Sequence, residues 1–215
     1  MHAWGRHQRL RGTDLSRRGV LRAGALGLGA LSAYGTVEVV TNVFSLPGRV
    51  RRATGSFAVG SGDPGAMPVT QWFTDSVPTV ARTSYRLIAG SDTVPYADLF
   101  AGTDTVLAVL DCTGGWYAEQ EWRGLRLDRA LGAAPPGARG LDVVSVTGYR
   151  RRFPVADVER LLLATHASDS PLSDGHGGPV RLVAPDRRGF WWVKWVRSVE
   201  WTSAPWWMQP PFPLQ

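Results

Sequence analysis

Glycine and proline interrupt the chain so often that its apolar runs are short. The 215 residues include 25 glycines and 15 prolines, and both residue types are unfavourable inside long helices. The runs between these breakers have the length and the branched apolar content of strands. Four of them are predicted as strands: Ser84–Ala89, Thr105–Leu110, Leu141–Val146 and Val180–Ala184. The sequence therefore predicts an α+β domain that is rich in β-structure.

Other segments give less uniform signals. Leu127–Leu131 is predicted as a short helical turn, whereas Val158–Thr165 fits a helix and a strand equally well. Phe190–Trp201 alternates apolar and polar residues over most of its length, which is typical of a strand with one wetter face. Thr105–Leu110 is so apolar that we expect both of its faces to be buried.

Positive charge is concentrated at the N-terminus. Residues 1–52 contain nine arginines and two carboxylates, whereas residues 53–215 contain 15 basic and 16 acidic residues. A protein that binds nucleic acid through its folded body needs its basic surface on that body. The nearly neutral body therefore argues against a nucleic-acid partner.

The N-terminal segment is predicted to be an export signal, and an ordinary amphipathic helix with a chance arginine pair is the alternative. Ser16–Arg22 has the twin-arginine pattern, in which two arginines precede an apolar residue, a leucine and a basic residue. The uncharged stretch Ala23–Val37 has the length of a signal-peptide core. Only Glu38 interrupts the apolar run to Leu46, so residues 1–46 are predicted to be either a cleaved signal or a membrane anchor. Both alternatives place the body on the extracytoplasmic side of the membrane, because the arginines stay inside.

The rest of the chain divides into three parts. Residues 47–65 are predicted as a linker, residues 66–203 as the folded domain, and residues 204–215 as a tail rich in proline and tryptophan. Tryptophan is enriched at protein interfaces and membrane boundaries. Trp206 and Trp207 of the tail are therefore candidates for contact with a partner.

Cys112 is the only cysteine, which excludes an intrachain disulfide and a zinc site with several cysteines. It follows the predicted strand Thr105–Leu110 and begins a loop with two glycines. Three interpretations stay open on these grounds: a small buried apolar residue, a nucleophile assisted by His166 or His176, and a soft ligand for a transition metal.

Two sequence blocks resemble the sulfite oxidase family. Leu110–Tyr117, followed by Trp122–Leu127, is similar to the family's cysteine loop and the Trp-x-Gly-aliphatic-x-Leu pattern after it. His176–Pro185, continued to Val193-Lys194-Trp195, is similar to the family's His-Gly-x-Pro-x-Arg pterin-binding stretch. Weaker similarities occur at Pro68–Trp72 and at Gly148-Tyr149. The blocks occur in the family's order.

The resemblance implies a mixed-sheet molybdopterin-binding domain with mononuclear molybdenum on a single pterin. Cys112 would be the protein ligand of the metal and the catalytic centre. The same resemblance implies cofactor contacts from other residues: Thr70, Trp72, Thr113, Tyr149, His176, Arg181, Gly189 and Lys194. A solvated strand face remains the alternative for Arg181 and Lys194, and a structural histidine the alternative for His176.

One departure from the family bears on the substrate. Sulfite oxidases follow the cysteine with a run that includes two arginines, whereas this chain has Gly114, Gly115, Trp116 and Tyr117. Fewer cations give less attraction for an anion such as sulfite. The loop looks more like the bacterial exported branch, which includes methionine-sulfoxide reductases. A small S- or N-oxide is therefore the expected substrate of an oxygen-atom transfer.

The sequence has no haem motif, no set of iron–sulfur cysteines and no flavin fingerprint. A redox enzyme of this type would need a separate electron-transfer partner, for which a membrane cytochrome is expected. A non-catalytic, membrane-anchored binding module that retains the fold is the alternative.

Overall fold

The fold is described from a computed structural model covering residues 19–21, 24–29, 32, 36, 55–71 and 76–210. The chain separates into two compact units, Met1–Arg52 and Ala53–Gln215. In the first unit, residues 19–21 and 24–29 are helical and exposed. Residues 16–18 and 22 of the export motif lie outside the described residues. None of the described helices has the length and apolarity needed to cross a membrane.

The first of two mixed sheets in the second unit is built around one long strand, β5 (Trp116–Arg126). Its six strands are β1 (Phe57–Ala58), β4 (Asp104–Asp111), β5 (Trp116–Arg126), β8 (Leu162–Ala167), β9 (Ser170–Pro171) and β10 (Arg181–Val183). β5 pairs with β4 and β8 in antiparallel fashion and with β1 in parallel. Its buried residues alternate along the strand, with Trp122 fully enclosed.

The second sheet has five strands: β2 (Arg86–Ala89), β3 (Asp92–Pro95), β6 (Gly140–Ser145), β7 (Arg150–Phe153) and β11 (Val196–Thr202). Their order in the sheet is β3-β2-β11-β6-β7. Two short helices, α1 (Tyr96–Phe100) and α2 (Leu127–Leu131), complete the regular structure with several 3-10 turns. The prediction of a β-rich α+β domain with mixed sheets is confirmed.

Several local predictions need correction. β4 is not buried on both faces, because Leu107 is 69% exposed and Val109 is 39% exposed. Within the described strands β4 pairs only with β5, so it forms a sheet edge. Phe190–Trp201 is not one strand: a 3-10 turn, Gly189–Trp191, and an irregular stretch precede β11.

Other segments agree with the predictions or resolve them. α2 has the predicted bounds. The ambiguous segment at 158–165 contains both alternatives, since the 3-10 turn Val155–Arg160 runs into β8. The tail is attached as far as residue 210, because the Gln209 side chain accepts from the backbone N–H of Arg152 and donates to its carbonyl. Trp206 and Trp207 are exposed there.

The turn between β4 and β5 places Cys112 at the end of a paired strand. The backbone N–H of Cys112 donates to the carbonyl of Trp116, and Gly115 adopts φ +92°, which favours glycine. Gly189 packs against the same turn: a Cβ there would lie 2.8 Å from the Asp111 carbonyl oxygen. The turn is therefore held from two sides.

Candidate active site

A cavity of about 330 Å³ opens beside Cys112. This volume is within the range of small-molecule sites. Eight of the nine predicted site residues line it: Thr70, Cys112, Thr113, Tyr149, His176, Arg181, Gly189 and Lys194. The ninth, Trp72, lies outside the described residues. The structure thus brings together side chains that are more than a hundred residues apart in the sequence.

The Cys112 thiol has two hydrogen-bond neighbours. Its Sγ lies 3.1 Å from the Thr70 hydroxyl and 3.3 Å from the backbone nitrogen of Gly114. Cys112 is buried, but its side chain borders the cavity. The sulfur therefore faces a space large enough for a ligand while the protein holds it on the other side.

Arg181 extends from β10 into the base of the cavity and is fully buried. Its Nη1 donates to the carbonyl of His176 at 3.0 Å, and the guanidinium stacks over Trp122 at 5.0 Å. In the described part of the chain, its Nε has no hydrogen-bond partner. Burial lowers the pKa of Arg181 to about 10. A buried cation with an unused donor is suited to an anionic ligand.

Lys194 is the second cation of the cavity. Its Nζ donates to the carbonyls of Thr70 at 2.7 Å and Gly175 at 2.6 Å. Burial, reinforced by the charge of Arg181, lowers the pKa of Lys194 to about 7. The segments that carry the two cations exchange backbone hydrogen bonds, from Leu182 to Val193 and from Val196 to Val180.

Lys194 is also the only lysine of the chain, which otherwise uses arginine for its basic residues. Sequence reasoning found Lys194 through the motif but missed this compositional signal. A single compact ammonium among arginines indicates a position where a guanidinium does not serve as well.

His176 supports the cavity wall. Its Nε2 donates to the Met67 carbonyl at 3.0 Å, because a carbonyl can only accept, and its Nδ1 then accepts from the Ser173 hydroxyl at 2.9 Å. Burial, together with Arg181 and Lys194, lowers the pKa of His176, so its ring is neutral at pH 7. Both ring nitrogens are therefore engaged within the protein, in accord with the structural alternative for this residue.

The nucleophile interpretation of Cys112 finds no support in this geometry. His166 is buried in β8, where its Nδ1 lies 2.9 Å from the Thr165 hydroxyl and its ring packs on Phe100. It is not a lining residue of the cavity. Since His176 is also engaged elsewhere, neither histidine is placed as a general base for the thiol.

Several lining residues escaped prediction from the sequence, and the largest of them are aromatic: Trp116, Phe190, Trp192 and Trp195. The others are Pro68, Gln71, Leu110, Gly114 and Ser145. Tyr149 joins the aromatic group through a hydrogen bond from its hydroxyl to the Phe190 carbonyl. These rings give the cavity a rigid and largely apolar wall around its cations.

The charge of the cavity is unbalanced. Arg181 and Lys194 line it, and its described lining includes no Asp or Glu. Because isolated buried cations are costly, such a cavity favours a ligand that brings negative charge.

A family model for the oxidoreductase molybdopterin-binding domain matches residues 77–208, more than half of the chain. The chain belongs to this family. It is therefore an oxidoreductase domain of the molybdopterin-binding type, and the resemblance to the sulfite oxidase family is confirmed. Of the cavity residues discussed above, only Thr70 precedes the matched region.

A solved structure supports the fold. The chain is similar to the sulfane dehydrogenase SoxCD of Paracoccus pantotrophus, with 24% sequence identity and a TM-score of 0.55. The match covers 60% of this chain and 40% of the matched SoxCD chain, so the matched region spans less than half of that chain. No curated protein matches the sequence significantly.

The residues of the cavity fit the cofactor that the family binds. A molybdopterin carries a phosphate and a dithiolene, both of which are anionic. The described lining of the cavity offers two cations, Arg181 with its unused Nε donor and Lys194, and no carboxylate. The Cys112 sulfur is a soft donor suited to molybdenum that takes its other donors from the pterin. The residues therefore agree with a pterin–metal ligand in charge and donor type.

The pKa of Lys194 gives a test of its burial. The unfolded chain keeps this proton to about pH 10.5, so between pH 7 and 10.5 it binds more protons than the folded chain. We expect the free energy of unfolding of the cofactor-free protein to rise with pH in this window and the Lys194→Met variant to lack this contribution. As the only lysine, Lys194 can be followed directly by NMR after ¹³C-dimethylation. A midpoint near 10.5 would contradict its burial.

Proposed function

We propose that this domain holds one molybdopterin with a mononuclear molybdenum bound by Cys112 Sγ, and that it transfers an oxygen atom to or from a small substrate. The observation that carries the proposal is the position of the only thiol, at the edge of a cavity lined by the buried Arg181 and the partly buried Lys194. Cofactor enzymes leave the difficult chemistry to the cofactor and use the protein to bind and orient it.

Three cavity residues have distinct roles in this proposal. Cys112 supplies the metal's protein ligand, and Arg181 and Lys194 bind the anionic parts of the pterin. Thr113, Tyr149 and Gly189 border the same cavity, and Trp72 is retained as a cofactor contact from the sequence pattern alone. When bound, the cofactor supplies a metal that changes oxidation state, and with it the redox chemistry. The aromatic wall limits water around that centre.

The proposed substrate is a small S- or N-oxide with little charge. The support is the aromatic lining together with the sequence of the cysteine loop, which lacks the arginines of sulfite oxidases. Both cations of the cavity are assigned to the cofactor, so little positive charge remains for an anionic substrate.

The proposed electron partner is a separate redox protein of the membrane, such as a cytochrome. The exposed Trp206 and Trp207 are candidates for this contact. We further propose that the N-terminal segment directs the domain to the extracytoplasmic face of the membrane, either as a cleaved signal or as an anchor.

Metal and pterin analysis tests the cofactor assignment. The full chain is purified from a host that makes molybdopterin, molybdenum and pterin are measured per mole of protein, and sulfoxides, N-oxides and sulfite are compared as substrates. We expect one molybdenum, one pterin and turnover of an S- or N-oxide. A folded protein without either component would favour the non-catalytic binding module.

Export depends on the arginine pair in this proposal. We expect the Arg17→Lys, Arg18→Lys double variant to remain in the cytoplasm, because the twin-arginine route requires both guanidinium groups and lysine keeps only the charge. The measurement is cell fractionation with immunodetection of the domain. The matched control, Arg6→Lys with Arg9→Lys, changes two arginines outside the motif and should be exported. Normal export of the motif variant would contradict the signal assignment.

A further inference from the structure

The Thr70 side chain is within hydrogen-bond distance of the Cys112 sulfur. Its hydroxyl oxygen lies 3.1 Å from Sγ, across 42 positions of sequence. The Gly114 N–H, at 3.3 Å, approaches the same sulfur from the turn. The thiol is thus contacted by two groups that can donate a hydrogen bond.

The direction of the Thr70 bond follows from the state of the sulfur. A cysteine bound to a metal is a thiolate, which has no proton to donate. The hydroxyl of Thr70 must then be the donor, as the Gly114 N–H is. Hydrogen bonds to a ligand sulfur draw electron density from it and alter the potential of the metal.

Two cavity residues hold Thr70 in this position. Residues 67–71 form no helix or strand, yet His176 Nε2 donates to the Met67 carbonyl and Lys194 Nζ donates to the Thr70 carbonyl. Met67 is itself buried in the core. The segment is therefore fixed at both ends by side chains of the cavity wall.

We infer that Thr70 is a positioning residue whose hydroxyl donates to the Cys112 thiolate and thereby tunes the metal. His176 and Lys194 act through the backbone of residues 67–71 to keep that hydroxyl in place. The inference rests on the proposed role of Cys112 as the metal ligand. It assigns Thr70 a bond to the ligand sulfur instead of a contact with the pterin.

The test compares Thr70→Val, which removes the hydroxyl at nearly constant shape, with Thr70→Ser, which retains it. Thr105→Val is the control, since Thr105 is an exposed residue at the far end of the strand that leads to Cys112. The readouts on purified full chain are molybdenum content, the midpoint potential of the metal and the EPR g-values of its one-electron state.

We expect Thr70→Val to bind molybdenum with a lower midpoint potential and shifted g-values, because the thiolate without its donor gives more charge to the metal. Thr70→Ser and Thr105→Val should match the wild type. A molybdenum-loaded Thr70→Val protein with wild-type potential and g-values would overturn the inference. Thr70→Ala provides the same comparison if Thr70→Val does not fold.

A second readout separates this inference from the proposed function. If the wild-type chain binds no molybdenum, the proposed function fails, and alkylation of Cys112 by iodoacetamide at pH 7 then tests the hydrogen bond alone. Loss of a donor destabilises the thiolate, so Thr70→Val should react at least about threefold more slowly, with Thr70→Ser near the wild type. Equal rates for both variants would refute the bond in the metal-free chain.

Discussion

Replacing Cys112 with serine is expected to reduce bound molybdenum to background and to abolish molybdenum-dependent turnover. Serine is a hard oxygen donor with a much higher pKa than a thiol, so it does not replace a soft thiolate ligand. The change is small in volume, and the neighbouring groups, Thr70 and Gly114, can bond to an oxygen as they do to sulfur. The fold should therefore survive while the metal site does not.

Three measurements check this expectation: molybdenum per mole of protein, turnover with the substrate found in the screen, and thermal unfolding of the cofactor-free protein. Unfolding should occur near the wild-type temperature. Thr105→Val, an equally small change of side-chain chemistry on the exposed face of the preceding strand, should leave metal content and turnover unchanged. A Cys112→Ser protein that retains full molybdenum and full turnover would refute the ligand assignment.

The sequence predicted the elements whose signals are local. β2, β4, β6, β10 and α2 were recognised because their apolar runs end at glycine, proline or charged residues. β5 was missed because its exposed side carries Glu119, Glu121 and Arg123, and its buried side includes Gln120. The buried Gln120 amide donates a hydrogen bond to the Gly60 carbonyl and accepts one from the Ser168 hydroxyl. Local sequence patterns do not show such contacts.

The position of β4 at the edge of its sheet was also not predictable from the sequence. Leu107 and Val109 suggested a strand buried on both faces, but in the sheet they lie opposite Glu121 and Glu119 on the exposed side of a β4–β5 pair. A strand's apolar content reports its tendency to form a strand, whereas its burial depends on which neighbours cover it. Only tertiary structure provides that information.

The cavity residues were predictable as a motif but their contacts were not. The family pattern gave Cys112, His176, Arg181 and Lys194 by type and order. It did not reveal that His176 uses both ring nitrogens within the protein or that Lys194 bonds to two backbone carbonyls. The bonds to Met67 and Thr70 reach a segment more than a hundred positions away, so the division between cofactor contact and structural support becomes visible only in the fold.

Replacing Arg181 with methionine is expected to have the second large effect. It should maintain or raise the stability of the cofactor-free protein but lower its affinity for the cofactor. Burial lowers the pKa of Arg181, which means that its charge is unfavourable in the empty cavity. Arg181→Met keeps an unbranched side chain over Trp122 and Trp192 but removes the charge. We therefore expect the cofactor-free variant to unfold at the wild-type temperature or above it, as measured by calorimetry.

Cofactor occupancy of the same Arg181→Met variant should fall steeply. A charge-assisted hydrogen bond to a phosphate or pterin edge contributes about 1.5–3 kcal/mol, which corresponds to a loss of roughly 10- to 150-fold in affinity. The measurement is molybdenum and pterin per mole of protein, with Arg197→Met, an exposed arginine of β11, as the matched control. Full occupancy in Arg181→Met would show that Arg181 does not contribute to cofactor binding, and that its charge serves some other ligand of the cavity. Lower occupancy with unchanged or higher stability of the cofactor-free chain would mean that Arg181 serves to bind an anion. If Arg181 served mainly for packing, its replacement would lower both the occupancy and the stability.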